Sequence, residues 1–174
     1  MNKRDRIKTI FLYGVFICYI LLLIKILFLS RVSHLEHRSI NIIPFHSIIE
    51  YIHGSSPNIK AFAFGNVVGN IVIFIPLGTY LPLFKNDKRI ITNLLAIFIV
   101  SLFVEIIQGF LEIGASDIDD IILNCLGGLI GILGYKFLWF ILGNERKVHT
   151  TITILSAAGL PFVLYYLLMI KMRF

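Results

Sequence analysis

Residues 66–78 read NVVGNIVIFIPLG, residues 101–108 read SLFVEIIQ, and residues 117–134 read DIDDIILNCLGGLIGILG. These three stretches decide the fold, because long apolar runs carry acids and amides at regular intervals. An acid at the middle of a membrane helix costs about 2.5 to 3.5 kcal/mol on insertion scales, so such side chains normally face another helix or a polar cavity. The pattern therefore predicts membrane helices that meet through polar faces.

The composition of the whole chain is that of a membrane protein. Of its 174 residues, 57% are apolar and 15% are charged, and the mean hydropathy is +0.88, outside the usual range of soluble domains. A helix that crosses a hydrocarbon core of about 30 Å needs about 20 residues. Five runs are long enough: 9–29, 62–84, 90–111, 118–142 and 150–170. We predict an all-α, polytopic membrane protein that forms a single membrane domain over residues 1–174, with the first run retained as a span.

The long connection between the first two spans contains a short amphipathic segment. Residues 44–53 read PFHSIIEYIH, and their apolar side chains fall on one helical stripe, which predicts a short helix lying in the membrane interface. His46, Glu50 and His53 share a side of that helix but lack the H-E-x-x-H arrangement of a zinc site. We expect them to face water, and the sequence predicts neither a metal site nor another cofactor.

The distribution of basic residues predicts the orientation. With a cytoplasmic amino terminus, nine Lys and Arg fall inside and five outside, which is the bias found in membrane proteins. The inside set is Lys3, Arg4, Arg6, Lys8, Lys85, Lys88, Arg89, Arg146 and Lys147, and the outside set is Arg31, Arg38, Lys60, Lys171 and Arg173. No basic patch is interleaved with exposed aromatic residues, so we predict no nucleic-acid partner. The chain is expected to be a multi-pass protein of the cell membrane.

This topology places the polar residues of three spans at one depth. The second span enters from outside, the third ends outside and the fourth starts outside, so all three sets fall in the outer part of the bilayer. Within each set the spacings of three and four residues form one stripe on one helix face. The candidate site residues are Asn66, Asn70, Glu105, Gln108, Asp117, Asp119, Asp120 and Asn124.

Structural roles compete with functional ones for these residues. Asn66, Asn70 and Asn124 can act as hydrogen-bond donors and acceptors that hold membrane helices together. Asp117 and Asp119 can be solvated caps at the start of the fourth span. Glu105 and Asp120 favour a functional role, because these three spans hold no Lys or Arg at the same depth and a buried acid is costly without a purpose.

Four motifs, in this order, resemble the VanZ-like membrane proteins. They are Asn41-x-x-Pro44-Phe45, Gly69-Asn70-x-x-x-Phe74-x-Pro76-x-Gly78-x-x-x-Pro82, Glu105-x-x-Gln108, and Asp117-x-Asp119-Asp120-x-x-x-Asn124-x-x-Gly127-x-x-x-Gly131. The resemblance covers residues 41–135, which we take as a core region. It implies an association with glycopeptide antibiotics, teicoplanin in particular, but it brings no established reaction or catalytic residue. An arginine that often precedes the aspartate motif in similar proteins is replaced here by Gly114-Ala115-Ser116.

Three hypotheses follow for the function. The leading one is a non-enzymatic envelope protein whose outward-facing polar site binds a lipid-linked cell-wall precursor or the lipid part of a lipoglycopeptide, with the lipid bilayer as its other partner. The first alternative is a membrane enzyme that acts on a lipid-linked envelope substrate, with Glu105 and Asp120 as acid and base or as ligands for a divalent cation. The second is a small transporter or flippase in which Glu105 carries the coupled proton.

Overall fold

The computed structural model describes residues 3–29, 44–45, 49, 53, 57–85, 87–111 and 117–169. In this part of the chain the helices are α1 (Lys3–Ile24), α2 (Pro57–Lys85), α3 (Ile90–Leu111), α4 (Ile118–Leu142) and α5 (Glu145–Met169). The last residues of the first span, Lys25–Leu29, continue α1 as a π-helix. The described residues contain no β-strand, and they form five helices that are long and apolar enough to cross a membrane. The predicted all-α, multi-pass fold is thereby confirmed.

Local sequence signals explain where these helices begin and end. Pro57 starts α2, a position where its missing amide donor removes no hydrogen bond. Gly143 ends α4 in a left-handed conformation with φ of 58°, and its N–H donates to Trp139 O at 2.9 Å. Asn144 Oδ1 then accepts the N–H of Arg146 at 2.9 Å, so α5 begins five residues before the predicted start of the fifth span.

The predicted interfacial helix falls mostly outside the described residues, and so do His46 and Glu50. Its described members Ile49 and His53 are helical. The N–H of Ile49 donates to the carbonyl of Phe45 at 2.9 Å.

The chain divides into two compact units, and the single domain predicted over residues 1–174 stays a prediction. The terminal unit comprises residues 1–32 and 137–174. In it, Lys8 Nζ donates to Thr150 Oγ1 at 2.8 Å and Lys25 Nζ donates to Leu167 O at 2.6 Å. The second contact lies 17 residues after the first on α1 and also 17 residues after the first on α5. The two helices are therefore parallel.

The central unit comprises residues 33–136 and is built on backbone contact between α2 and α4. A Cβ added at Gly127 would lie 2.0 Å from Ile71 O, and one at Gly131 would lie 2.1 Å from Ile75 O. The two helices are therefore parallel and approach more closely than any side chain permits, as small residues allow between membrane helices. Thr79 Oγ1 adds a hydrogen bond to Gly131 O at 3.3 Å.

The turn between α2 and α3 is held by its own polar groups. The Arg89 side chain pairs with Asp87 at 3.0 Å, and hydrogen bonds from Arg89 hold the pKa of the Asp87 carboxyl below its usual range. Asn93 is fully buried, and its Nδ2 donates to the carbonyl oxygens of Asp87 and Arg89 at 2.7 and 2.8 Å. This turn lies at the end of the central unit opposite the start of α4.

Gly131→Ala is expected to destabilise the protein, because its Cβ would meet the α2 backbone and overpacking costs about 1 to 3 kcal/mol. Gly134→Ala is the matched control, since a Cβ there meets nothing within 4 Å and Ala is the better helix former. Thermal melts of the purified protein in detergent, followed by size-exclusion chromatography, measure both. Equal melting temperatures for the two variants would contradict the contact.

Candidate functional site

Two amide side chains converge on the carboxylate of Asp120. Asn70 Nδ2 donates to Asp120 Oδ1 at 2.5 Å, and Asn66 Nδ2 donates to the same oxygen at 3.3 Å. Asn66 and Asn70 lie one turn apart on α2 and are linked by a hydrogen bond of 3.2 Å. Asp120 and Asn70 have exposed fractions of only 1% and 4%. The parallel packing of α2 and α4 thus produces a buried cluster of two amides and one acid.

Glu105 contacts the start of α4 from α3. Its Oε2 accepts the backbone N–H of Asp117 at 3.0 Å, and its side chain is 3% exposed. Asp117 in turn caps α4, because its Oδ1 accepts the N–H of Asp119 at 3.0 Å. Glu105 therefore binds the backbone at the residue where the fourth span begins.

Glu105 and Asp120 occupy one layer of the central unit. Asn124 Nδ2 donates to Ser101 Oγ at 2.9 Å, while Asp117 contacts Glu105, so α3 and α4 run antiparallel. Glu105 lies one turn beyond Ser101, and Asp120 lies one turn before Asn124. Because α3 and α4 run in opposite directions, one turn forward on α3 and one turn back on α4 lead to the same height along the helix axes. Glu105 and Asp120 therefore lie at the same height.

Asp119 has a different contact from its neighbours in the motif. Its Oδ1 accepts the backbone N–H of Phe45 at 2.5 Å, and the side chain is 1% exposed, so Asp119 is not a solvated cap. Phe45 has a φ of 68°, a left-handed conformation that costs about 1 to 2 kcal/mol for a residue with a side chain. The hydrogen bond offsets this cost and ties the Pro44–Phe45 turn to the start of α4.

The remaining predicted amides are buried in the same unit. Gln108 and Asn124 are 0% and 1% exposed. Within the part of the chain that the structure describes, Asn124 Oδ1 is a buried acceptor without a hydrogen bond. The structure thus brings Asn66, Asn70 and Asp120 into direct contact and joins Glu105 to Asp117, while Asp119 bonds the Pro44–Phe45 turn.

Asn93 was not among the predicted site residues, although the sequence contained its signal. It continues the stripe of Ser101 and Glu105 at spacings of four residues on α3. Because it lies at the opposite end of the unit and binds backbone carbonyls, it serves the α2–α3 turn rather than the cluster around Asp120.

The chemistry available at the cluster is that of hydrogen-bond donors and acceptors in an apolar setting. Carboxylate oxygens of Glu105 and Asp120 accept, and the amides of Asn66 and Asn70 donate. Among the residues described, no group of three or more His, Cys, Asp or Glu side chains is arranged to hold a metal ion.

Five helices of membrane-spanning length, with polar side chains of three of them buried in one unit, define a polytopic α-helical membrane protein. A sequence model of the VanZ/LLP1 family matches residues 16–141, and the chain belongs to this family. It is 30% identical over 128 residues to Protein VanZ of Enterococcus faecium. This alignment covers 69% of the present chain and 76% of Protein VanZ. No solved structure matches the chain. The predicted VanZ-like resemblance is confirmed, and the match extends beyond residues 41–135 on both sides.

Asp119→Ala should release the Phe45 amide, because a hydrogen bond to a charged group contributes about 1.5 to 3 kcal/mol. Site-resolved hydrogen exchange measures this directly, and we expect the Phe45 amide to exchange about 10 to 100 times faster in the variant. Asp119→Asn keeps an acceptor oxygen and should give an intermediate rate. An unchanged rate in Asp119→Ala would show that the turn does not depend on this carboxylate.

Proposed function

We propose that this VanZ-family protein lowers the susceptibility of the cell envelope to lipid-bearing glycopeptides, teicoplanin among them, without catalysing a reaction. Its site is the cluster around Asp120, with Glu105 in the same layer, and its ligand is an envelope component or drug that carries a lipid tail. The observation that carries the proposal is the convergence of Asn66 and Asn70 on one oxygen of Asp120. Membership in the VanZ/LLP1 family supports the link to glycopeptides.

Burial and position favour a site over a purely structural contact. α2 and α4 already meet through their glycines, so the polar cluster is not required to bring them together. Acids inside membrane spans are rare and mark binding sites or pathways. The cluster lies at the end of the central unit near the Pro44–Phe45 turn, the end from which we expect a ligand to approach.

The proposed orientation places the cluster at the outer face of the membrane and the amino terminus in the cytoplasm. Its support is the separation of charge within the central unit. Lys85, Lys88 and Arg89 lie around the turn opposite the cluster, and Lys and Arg are retained on the cytoplasmic side. An outward site suits a drug that acts at the cell surface.

Single cysteines at the two ends of the central unit test this orientation. In a Cys18→Ala/Cys125→Ala background, Leu111→Cys should react with a membrane-impermeant maleimide on intact cells, because Leu111 is exposed at the cluster end of α3. Lys85→Cys, at the other end, should react only after permeabilisation. The reverse labelling pattern would overturn the orientation.

Asp120→Asn is expected to remove most of the teicoplanin tolerance that the wild-type protein confers on a sensitive Gram-positive host. The substitution keeps the side-chain shape but replaces the carboxyl group that the two amides contact with an amide. Tolerance is read as the minimum inhibitory concentration at matched membrane levels. Asn93→Ala is the control, since it removes a buried polar side chain at the far end of the same unit, and it should lower stability without removing tolerance.

The exchange Asn70→Asp/Asp120→Asn separates a functional acid from a structural hydrogen bond. It keeps one carboxylate and one amide in contact but moves the charge from α4 to α2. We expect the melting temperature to recover relative to Asp120→Asn while tolerance stays low. Full recovery of tolerance, or unchanged tolerance in Asp120→Asn, would argue that the cluster only holds the helices together.

A further inference from the structure

A second polar feature lies in the terminal unit, where the first turns of α1 and α5 enclose two adjoining recesses. Their volumes are about 310 and 610 Å³, within the range of about 300 to 1,000 Å³ found for ligand pockets. Both recesses are lined by Asp5, Lys8, Arg146 and Thr150. Neither contains a residue of the cluster around Asp120, so this feature is independent of the proposed function.

The recess presents two basic side chains, of which Lys8 is held by a hydrogen bond and Arg146 is largely exposed. Lys8 Nζ donates to Thr150 Oγ1 at 2.8 Å, and Thr150 Oγ1 donates to Arg146 O at 2.8 Å. The Arg146 side chain lies 4.0 Å from Asp5 and is still 79% exposed. An ammonium has three donors and a guanidinium five, so both side chains have the capacity to bind a further anion.

The charge around the recess favours an anionic ligand. Residues 3–8 and 145–147 contain six Lys or Arg against Asp5 and Glu145, a net charge of +4. Lys147 lines the larger recess. A cluster of basic residues beside a membrane helix attracts anionic lipids, at about 1 kcal/mol for each Lys or Arg near the surface.

The position of the recess favours a lipid over a soluble anion. It lies where the apolar runs of α1 and α5 begin, at residues 5 and 145. Leu142 lines the larger recess, so part of its surface is apolar. A ligand with a phosphate head and apolar tails therefore matches both parts.

We propose that this recess binds the phosphate of an anionic glycerophospholipid, with Lys8 and Arg146 as the principal donors and Lys147 as a further contact. The lipid belongs to the leaflet at the amino-terminal ends of α1 and α5. Its head group bridges the two helices beside their Lys8–Thr150 contact, so binding stabilises the terminal unit.

The test measures lipid binding by native mass spectrometry of the purified full chain. Phosphatidylglycerol is compared with phosphatidylcholine and with inorganic phosphate. We expect Lys8→Gln/Arg146→Gln to weaken phosphatidylglycerol binding by about tenfold or more. Lys85→Gln/Lys88→Gln removes the same charge from the α2–α3 turn and should change binding by less than about twofold.

Three results would overturn the proposal. If both double variants weaken phosphatidylglycerol binding equally, the attraction is one of general charge. If the protein binds phosphatidylcholine as tightly as phosphatidylglycerol, it has no preference for an anionic lipid. If it binds inorganic phosphate as tightly as phosphatidylglycerol, the ligand is a free anion. If the loss of the Lys8–Thr150 contact unfolds the double variant, Lys147→Gln replaces it. Lys147 is exposed, and its substitution should weaken phosphatidylglycerol binding by about fivefold; unchanged binding there counts against the site.

Discussion

Direct backbone contact between α2 and α4 is the constraint on which the central unit depends. Gly127 and Gly131 lie against Ile71 and Ile75 with no room for a Cβ, so the register of the two helices is fixed to within less than a turn. In that register Asp120 can reach both Asn66 and Asn70. A larger residue at either glycine would separate the helices and lengthen the very hydrogen bonds that make the acid tolerable inside a membrane.

The acids of the D-x-D-D motif divide three tasks among them. Asp117 caps the first turn of α4, Asp119 holds the backbone of Phe45 in its left-handed conformation, and Asp120 accepts the amides of α2. Two of the three therefore stabilise the fold around the site. Asp120 differs from them, because its carboxylate contacts the side chains of another helix, and the proposed function depends on this acid.

Much of this arrangement could be predicted from the sequence, because it follows from helical periodicity. The predicted spans overlap the five helices, and most residues of the polar stripes on α2, α3 and α4 are buried, with Asn66 and Asp117 half-buried. The contact between Phe45 and Asp119 could not be predicted, because it joins residues 74 positions apart through a backbone conformation that phenylalanine rarely adopts. The early start of α5 was missed because Glu145, Arg146 and Lys147 lower the hydropathy of a segment that Asn144 caps.

Helix direction within each unit supports five membrane crossings independently of hydropathy. A chain that crosses five times must run the same way in its first and last spans, and also in its second and fourth. α1 and α5 are parallel within the terminal unit. Within the central unit, α2 and α4 are parallel and α3 runs opposite to α4.

The depth of the acids explains how the central unit can hold them. Asp120 is the third residue of α4, so it lies where the helix macrodipole stabilises negative charge. Glu105 uses the same helix end, since it accepts the N–H of Asp117, a donor that α4 itself leaves unpaired. Two turns deeper, neither acid would have these donors, and burial would cost several kcal/mol. Among the described residues of the central unit, both acids thus lie where the start of α4 supplies donors for them.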